Sequence, residues 1–456
     1  MKRAGYISFF LVLFSLPSIL AFKDNRSEDN YFEVSKNLEI LASVVKEVNT
    51  YYVDEVDASK LMRTGIDAML RSLDPYTEFY SESEVEDYRF MTTGQYGGIG
   101  ASIHKREDYI LISEPYEGSP AHKAGLRGGD RLIEIDGKPV KGKETEDISK
   151  LLKGTPGTKV NLIIQRQGVE GNIEKSFNRE EIKIKNVPYY GMLNATTGYI
   201  KFTQFRHDAA EEVKQAVLAL KKNPELKGIV LDMRGNPGGL LDEAIKVVGL
   251  FVDKGQVIVH TKGKMEGSNQ EYRTREEPVD TKMPLIVLTN KGSASASEIV
   301  AGALQDLDRA IVIGENSFGK GLVQTTRPLP YNSQMKITTS KYYIPSGRCI
   351  QSLDYSNKDA SGKATKLPDS LRTEYKTKCG RSVYDGNGIQ PDIIVEHDEF
   401  ADVIVSLGRK YLFYDFATWY RANHDTIVSP DAFTLSDAEF QSFIGFLKDK
   451  EYEYTT

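Results

Sequence analysis

The sequence contains few of the residues that form metal centres or disulfide frameworks. Its 456 residues include two cysteines, Cys349 and Cys379, and six histidines. The cysteines form no C-x-x-C pair, and the histidines form neither an H-E-x-x-H pattern nor a paired-ligand spacing, so the common zinc signatures are excluded. We therefore expect no metal and no cofactor. Two cysteines are also too few for a disulfide scaffold, and whether they pair or remain free thiols stays open.

Blocks of like charge are also missing. The 59 basic and 65 acidic residues are interspersed and leave a formal net charge of −6. Without a basic patch, we expect no nucleic-acid partner. The chain is 40% hydrophobic and 27% charged, a composition typical of a soluble protein with two or three globular domains.

The longest apolar run lies at the N-terminus. Lys2 and Arg3 precede an apolar stretch over residues 7–20, and Ala21 closes a small-residue cleavage pattern. This layout predicts a signal peptide over residues 1–21 and an exported protein of the periplasm or cell envelope. The run is shorter than the roughly 20 residues of a membrane span, and an uncleaved N-terminal anchor is the alternative.

The periodicity of apolar residues divides the rest of the chain into regions. Residues 31–88 have helical spacing, and residues 92–177 consist of short β-rich runs broken by glycine. Over residues 182–400 continuous apolar strands alternate with helices, which predicts an α/β core around a buried sheet. A polar stretch within it, residues 352–387, predicts a surface insertion. Residues 401–456 predict an aromatic-rich helical region.

The β-rich region carries a candidate peptide-binding site. Its segment GSPAHKAGLRGGDRLIEIDGKPV resembles the PDZ domains of bacterial proteases. Such a domain adds an extended peptide to a sheet edge and receives the terminal carboxylate on backbone N–H groups of a glycine-rich loop. The resemblance assigns these groups to Gly97, Gly98, Ile99 and Gly100. The alternative is that these residues only form a tight turn.

Two loops that follow predicted strands carry the candidate catalytic residues. Residues 290–298 (NKGSASASE) are small and precede a helix, whose free N–H groups favour developing negative charge. A serine there is a candidate nucleophile or only a helix cap. Residues 314–321 (GENSFGKG) nearly match a phosphate-binding P-loop. However, Gly321 replaces the metal-binding Ser or Thr, and the next residues predict a strand, so we expect no nucleotide.

Five motifs occur in one order along the chain: DMRGNPGGLLDEA, GSASASEIVAGALQD, GENSFGKGLVQ, KYYIPSGRCIQ and GIQPDIIV. Together they resemble the C-terminal-processing (tail-specific) peptidases of serine peptidase family S41. The resemblance implies an α/β core of the crotonase or ClpP type and a serine endopeptidase that captures the C-termini of unfolded or loosely structured proteins. In many relatives the last two motifs are nearly adjacent, so the insertion at 352–387 is a departure from the family pattern.

The resemblance also implies roles for individual residues. Ser295 matches the nucleophile, Lys320 its general base and Gln324 the glutamine that orients the lysine. The oxyanion hole would consist of the amide of Ala296 and one amide of Gly238 or Gly239, with Gly239 favoured.

The proposed chemistry requires a neutral lysine, because only the neutral amine can accept a proton. An ordinary lysine has a pKa of about 10.4, and burial lowers it. Phe318 and Val323 flank Lys320 and are candidates to contribute to such an apolar site, and we expect Gln324 to lie on the same face of a strand as Lys320.

Two other functions fit parts of the sequence. A PDZ peptide-binding scaffold with an inactive core is one, and an acyl-CoA-handling enzyme on a crotonase-like core is the other. The intact Ser295, Lys320 and Gln324 disfavour the scaffold, and the PDZ-like region disfavours the acyl-CoA enzyme. A homo-oligomer or an adaptor protein remains open.

Overall fold

The computed structural model describes residues 26–359, 362–366, 368–396, 399–424, 426–430 and 432–453. The predicted signal peptide therefore lies outside the described residues. The chain divides into two compact units, residues 1–69 and 70–456. Helix α1 (Arg26–Tyr51) and most of α2 (Ala58–Arg71) belong to the first unit, which confirms the helical N-terminal region. Within the described ranges, no helix has the length and apolar character needed to cross a membrane.

The second unit begins with strand β1 (Glu78–Tyr80) and helix α3 (Val85–Thr93), which lead into the PDZ-like region. The elements of this region are β2 (Gln95–Gly98), β3 (Ala101–Arg106), β4 (Tyr109–Pro115), α4 (Pro120–Lys123), β5 (Arg131–Ile135), β6 (Lys138–Pro139), α5 (Thr145–Leu152), β7 (Lys159–Gln165), β8 (Ile173–Asn178) and β9 (Glu180–Lys183). Strands β3, β4, β5, β7 and β8 form an antiparallel sheet in that order, β6 pairs with β5, and β2 pairs with β9. Helix α4 has a serine N-cap, because the Ser119 hydroxyl accepts a hydrogen bond from the His122 amide.

The region that follows alternates strands and helices. Its elements are β10 (Tyr189–Met192), β11 (Thr197–Lys201), α6 (Ala209–Leu220), β12 (Gly228–Asp232), α7 (Leu241–Gly249), β13 (Val257–Gly263), β14 (Gln270–Arg273), β15 (Leu285–Thr289), α8 (Ala296–Asp306), β16 (Ile311–Gly314), β17 (Leu322–Pro328) and β18 (Gln334–Tyr343). Helix α8 is buried along its whole length, and α6 and α7 each bury an apolar face in the same core. The predicted α/β core is confirmed.

The polar insertion folds into two small hairpins, and the C-terminal region is helical. The elements are β19 (Leu353–Lys358), β20 (Ala364–Lys366), β21 (Glu374–Lys376), β22 (Ser382–Tyr384), β23 (Ile393–Ile394), α9 (Asp402–Arg409), α10 (Leu412–Asn423) and α11 (Asp437–Leu447). Strand β19 pairs with β20, and β21 pairs with β22. Both cysteines, Cys349 and Cys379, are free thiols.

The main sheet has the order β10-β11-β12-β15-β16-β23 and is parallel except for β10. A second sheet has the order β1-β18-β13-β14, with β17 also paired to β18. Parallel neighbours end at the same sheet edge, so the loops after β12, β15 and β16 leave the main sheet side by side. Ligand sites of α/β sheets form at such an edge.

Candidate active site

All six residues predicted for the catalytic and oxyanion roles line one cleft of about 370 Å³: Ser295, Lys320, Gln324, Gly238, Gly239 and Ala296. The loop after β12 contributes the two glycines. The loop after β15 contributes Ser295, and α8 begins at Ala296. The loop after β16 contributes Lys320, and β17 contributes Gln324. The topology of the main sheet thus joins residues that are dispersed along the sequence.

Ser295 has a strained backbone. Its φ is +56° and its ψ is −113°, at a sharp turn between β15 and α8. A positive φ is costly for a residue with a Cβ, and such strain clusters at functional sites. A strand–turn–helix junction of this kind lifts a serine hydroxyl to the top of a sheet in other hydrolases. Ser295 is partly exposed to the cleft.

The two neighbouring serines of the run have internal roles. The Ser293 hydroxyl donates to the Met233 carbonyl, and the Ser297 hydroxyl donates to the Asn236 carbonyl. Both serines are fully buried. They tie the loop after β15 to the loop after β12, so Ser295 is the serine of this run whose side chain is available to the cleft.

Lys320 is largely shielded from solvent, and this burial lowers its pKa to about 8. The positive charge of Lys336 acts in the same direction, whereas the carboxylates of Glu298, Asp74 and Glu78 raise the pKa. At pH 7 this pKa leaves roughly a tenth of the Lys320 side chains neutral, against fewer than about one in a thousand for an ordinary surface lysine.

Tyr76 supplies a large part of the cover over this lysine. Its ring centroid lies 4.2 Å from the Lys320 Nζ. Phe318 is half exposed and is not among the residues that line the cleft, whereas Val323 does line it. In the described part of the chain no hydrogen bond joins the Lys320 amine to the Ser295 hydroxyl.

Gln324 lines the cleft, but its amide donates to the Thr338 hydroxyl on β18 at 3.0 Å and not to Lys320. Strand β17 begins only at Leu322, and the β17–β18 register shifts between Val323 and Gln324. Lys320 precedes the strand, so the strand alternation from which a shared face was predicted does not extend to it, although both side chains line the cleft.

The two candidate glycines differ in what their amides contact. The Gly238 N–H donates to the Asn236 Oδ1 at 2.9 Å. Among the described residues, the amides of Gly239 and Ala296 have no hydrogen-bond partner. Gly238 has a φ of +95°, and a Cβ there would lie 2.6 Å from the Ala294 carbonyl oxygen. Gly238 thus permits the close approach of the two loops, while Gly239 and Ala296 keep their N–H groups for a ligand.

Sequence analysis did not identify Glu298, which connects the two catalytic loops. Its fully buried carboxylate accepts hydrogen bonds from the amides of Ser295 (2.7 Å), Gly319 (2.7 Å) and Lys320 (2.9 Å) and from the Ser317 hydroxyl (2.5 Å). Burial raises the pKa of Glu298 to about 7, against the effect of these hydrogen bonds. The S-x-x-E pattern from Ser295 to Glu298 is a capping-box signature and could have drawn attention to this residue.

Two further buried residues hold the same loops. The Tyr342 hydroxyl lies 2.5 Å from the Lys320 carbonyl oxygen and 3.1 Å from the Ser295 carbonyl oxygen. The Asn236 backbone carbonyl accepts a hydrogen bond from the Ala294 amide, and the Asn236 side-chain NH₂ group donates one to the Phe202 carbonyl. No local sequence signal marks either role, because the partners come from distant segments.

The predicted peptide-binding residues lie where an edge strand begins. Gly97 and Gly98 end β2, and β3 starts directly after Ile99 and Gly100. Within the described residues, β3 pairs only with β4, so its other edge is open, and the amides of Ile99 and Gly100 have no backbone partner. The arrangement combines free N–H groups with an unpaired strand edge, as β-strand addition requires.

The near P-loop does not have P-loop geometry. The loop after β16 continues into strand β17 instead of a helix, and Lys320 lies in the cleft beside Ser295. A phosphate-binding loop needs the amides of a following helix N-terminus.

Comparisons with known proteins give one consistent family. The family model described as "Peptidase family S41" matches residues 196–355, a PDZ domain model matches residues 111–166, and "Probable PDZ-protease, C-terminal helical domain" matches residues 403–456. The chain is 37% identical over 350 residues to a carboxy-terminal-processing protease of Bartonella bacilliformis, which covers 76% of this chain and 80% of that protein.

A second relative and one solved structure are also similar to this chain. A probable CtpA-like serine protease of Staphylococcus aureus is 38% identical over 320 residues, and the match spans 69% of this chain and 62% of that longer protein. The solved structure of a photosystem II D1 C-terminal processing protease is 27% identical with a TM-score of 0.42 and covers 78% of this chain and 92% of that one.

Proposed function

This chain belongs to the carboxy-terminal-processing proteases of peptidase family S41 and carries a PDZ domain, and from this premise we propose that it is a serine endopeptidase with a Ser295–Lys320 dyad. The observation that carries the proposal is the cleft itself. A strained serine, a buried lysine with a lowered pKa and two amides without partners all line it.

In the proposed reaction, neutral Lys320 accepts the hydroxyl proton of Ser295 as the serine oxygen attacks the scissile carbonyl. The resulting oxyanion accepts hydrogen bonds from the amides of Gly239 and Ala296. Collapse of this intermediate breaks the C–N bond, and the lysine ammonium returns the proton to the leaving amine. Water then attacks the acyl-enzyme, with Lys320 again as the base, and releases the new carboxyl terminus.

Within the described residues the Lys320 amine lies over the Tyr76 ring and is not hydrogen-bonded to Ser295, so the two groups must approach each other for this reaction to start. We assign this movement to rotation about the side-chain bonds of Lys320, since its backbone amide and carbonyl are held by Glu298 and Tyr342. In the proposal Gln324, which already lines the cleft, receives the lysine amine in its active position.

We also propose that the PDZ domain captures the C-terminus of a loosely structured protein. The substrate adds as a strand to the open edge of β3, and its carboxylate binds the amides around Ile99 and Gly100. Gly100 has a φ of +73°, and a Cβ there would lie 2.4 Å from the Ser119 Cβ. The loop therefore requires glycine at this position, which leaves the backbone free to face a ligand.

Cleavage of an unfolded protein with a free apolar C-terminus tests both parts. The purified full chain should cut it, and Ser295→Ala and Lys320→Ala should each reduce the rate by about 10³-fold or more while remaining folded. Ser442→Ala and Lys341→Ala change exposed residues outside the cleft and should retain full activity. If the catalytic variants cut as fast as the parent, the dyad is wrong.

Amidating the substrate C-terminus removes the negative charge proposed to bind the glycine loop. The amidated substrate should bind more weakly and be cut more slowly at limiting concentration. Equal binding of both substrates by the parent would exclude capture through the carboxylate. Binding without cleavage by the parent would instead favour the peptide-binding scaffold.

Export is proposed from residues 1–21 alone. Determining the N-terminal residue of the protein recovered from the cell envelope tests it, and an intact Met1 would exclude a cleaved signal peptide.

A further inference from the structure

The insertion at residues 352–387 reaches the candidate active site through a chain of aromatic contacts. The first link is Tyr76, whose ring covers the Lys320 amine at 4.2 Å. The Tyr76 phenol is neutral, because burial and the neighbouring Tyr355 raise its pKa. The face of a neutral aromatic ring excludes water from an ammonium group, and the same face attracts the ammonium group.

The position of Tyr76 is fixed by a tight turn on the second sheet. The Asp74 carboxylate accepts hydrogen bonds from the amides of Tyr76 and Thr77, both at 2.8 Å. The Thr77 hydroxyl accepts a hydrogen bond from the Thr338 amide at 3.2 Å. Directly after Thr77, strand β1 pairs with β18. Because β17 pairs with the other edge of β18 and follows Lys320 closely, this turn brings Tyr76 to the lysine.

The second link comes from β19 of the insertion. The Tyr355 ring packs edge-on against the Tyr76 ring with centroids 6.0 Å apart, and the two hydroxyl oxygens lie 3.4 Å apart. At the end of the same strand, the Lys358 Nζ donates to the Ser72 carbonyl. The hairpin β19–β20 therefore contacts the segment around Tyr76 at two points.

We propose that this hairpin is a brace, in which Tyr355 and Lys358 hold Tyr76 over the Lys320 amine and keep water from it, so that the resting amine is already desolvated before it turns to Ser295. Tyr76 and Tyr355 are positioning residues in this proposal, because they act through Lys320. The effect on catalysis rests on the proposed role of Lys320 as base, whereas the contact itself does not.

The direction of the effect follows from the groups that face Lys320. Lys336 on β18 favours the neutral amine, and Glu298, Asp74 and Glu78 favour the ammonium, as does the face of the Tyr76 ring. The pKa of Lys320 is nevertheless lowered to about 8, so desolvation exceeds these attractions. Opening the cover should therefore raise the lysine pKa and reduce the neutral fraction at pH 7.

The pKa of Lys320 can be measured without catalysis. In a Ser295→Ala background, competitive acetylation with acetic anhydride from pH 6 to 11, read by peptide mass spectrometry, gives the titration of this amine. We expect Tyr76→Ala to raise the pKa by about one unit or more, toward the ordinary value of about 10.4. Tyr355→Leu, which retains the Tyr76 side chain but removes its support, should raise the pKa by a smaller amount. The control Tyr384→Leu, on the other hairpin of the insertion, should leave it unchanged.

The same substitutions in the active chain give the second measurement. The acidic limb of the kcat/KM profile should move to higher pH by the same amounts, so that one unit costs about tenfold at pH 7. The rate at high pH should largely recover. A merely structural defect would lower the rate equally at every pH.

The outcomes separate the two proposals. If Tyr76→Ala and Tyr355→Leu leave the labelling pKa of Lys320 unchanged in folded protein, the brace is refuted. If the labelling pKa rises but the kinetic limb does not move, the brace stands and the role of Lys320 as general base is wrong. If Tyr384→Leu produces the same shift as Tyr355→Leu, the effect is a general loosening of the insertion and the brace is again refuted.

Discussion

Replacing Glu298 by glutamine is the sharpest test of how the two catalytic loops are held together. The substitution conserves shape, but the carboxylate accepts four hydrogen bonds and carries no donor. A glutamine has one oxygen, so its NH₂ group must face one pair of these donors. In the better orientation it faces the Ser317 hydroxyl, which can turn and accept, and the Gly319 amide is left without an acceptor.

Two opposing terms determine the stability of this variant. Leaving one buried amide unpaired costs roughly 1–3 kcal/mol. On the other side, burial raises the Glu298 pKa from 4.5 to about 7. At about 1.36 kcal/mol per pKa unit, removing that charge above pH 7 increases the free energy of unfolding by roughly 3 kcal/mol. The terms nearly cancel, so we expect the free energy of unfolding in urea at pH 8 to stay within about 2 kcal/mol of the parent.

Activity should not be conserved in the same way. The repelled Gly319 amide lies next to Lys320, and a displacement of about 1 Å at a reacting group costs on the order of 10²-fold in rate. We therefore expect Glu298→Gln to lower kcat/KM about 100-fold at pH 8 with little loss of stability. Glu243→Gln is the matched control, because it changes another buried carboxylate of the core whose partners, Ala210 and Lys246, lie outside the cleft.

The pH profile adds an independent readout. If both the Lys320 amine (pKa about 8) and the Glu298 carboxyl (pKa about 7) must be deprotonated, log kcat/KM of the parent rises with slope one between these values and slope two below about pH 7. For the Glu298→Gln variant, log kcat/KM should rise with a slope of one over the whole range below about pH 8. Activity within threefold of the parent from pH 7 to 9 would refute the view that Glu298 sets the geometry of the dyad.

Three other substitutions have predicted effects on cleavage, stability and pH dependence. Gly238→Ala would place a Cβ 2.6 Å from a carbonyl oxygen of the serine loop, so peptide cleavage should fall at least tenfold while binding of C-terminal peptides is unchanged by calorimetry. Arg348→Met leaves the fully buried Asp306 without its cation and should cost about 3–5 kcal/mol of unfolding free energy in urea; a loss below 1 kcal/mol would contradict this. Lys336→Met removes the like charge beside Lys320, so the acidic limb of the rate profile should move to higher pH, and a shift to lower pH would reverse the assigned sign.

Much of the fold could be predicted because its signals are local. Alternation of apolar strands with helices indicated the α/β core, and glycine-broken β runs indicated the β-rich region, whose PDZ character came from a resemblance. Small residues before α8 marked the loop of Ser295, since a close-packed turn into a helix needs them. The cap that starts α4 is equally local, because its hydrogen bond spans only three residues.

The structure also changed parts of the predicted site. The Gln324 amide donates to Thr338 on the neighbouring strand, and Phe318 is half exposed. Neither outcome could be derived from spacing, because a cross-strand partner comes from a distant segment, and burial depends on what packs above the loop. The cover over the lysine comes from Tyr76, in a region that carried no catalytic motif.

The sequence by itself thus determined which loops carry the candidate residues and which residue types are available there. Only the tertiary structure decided which serine faces the cleft, which glycine amide is free, and which carboxylate joins the two loops. The physical reason is that a hydrogen bond or a burial term depends on its partner, and these partners come from distant segments: Asn236 for Gly238, Met233 for Ser293 and Tyr76 for Lys320. Strand order in the two sheets makes these segments neighbours.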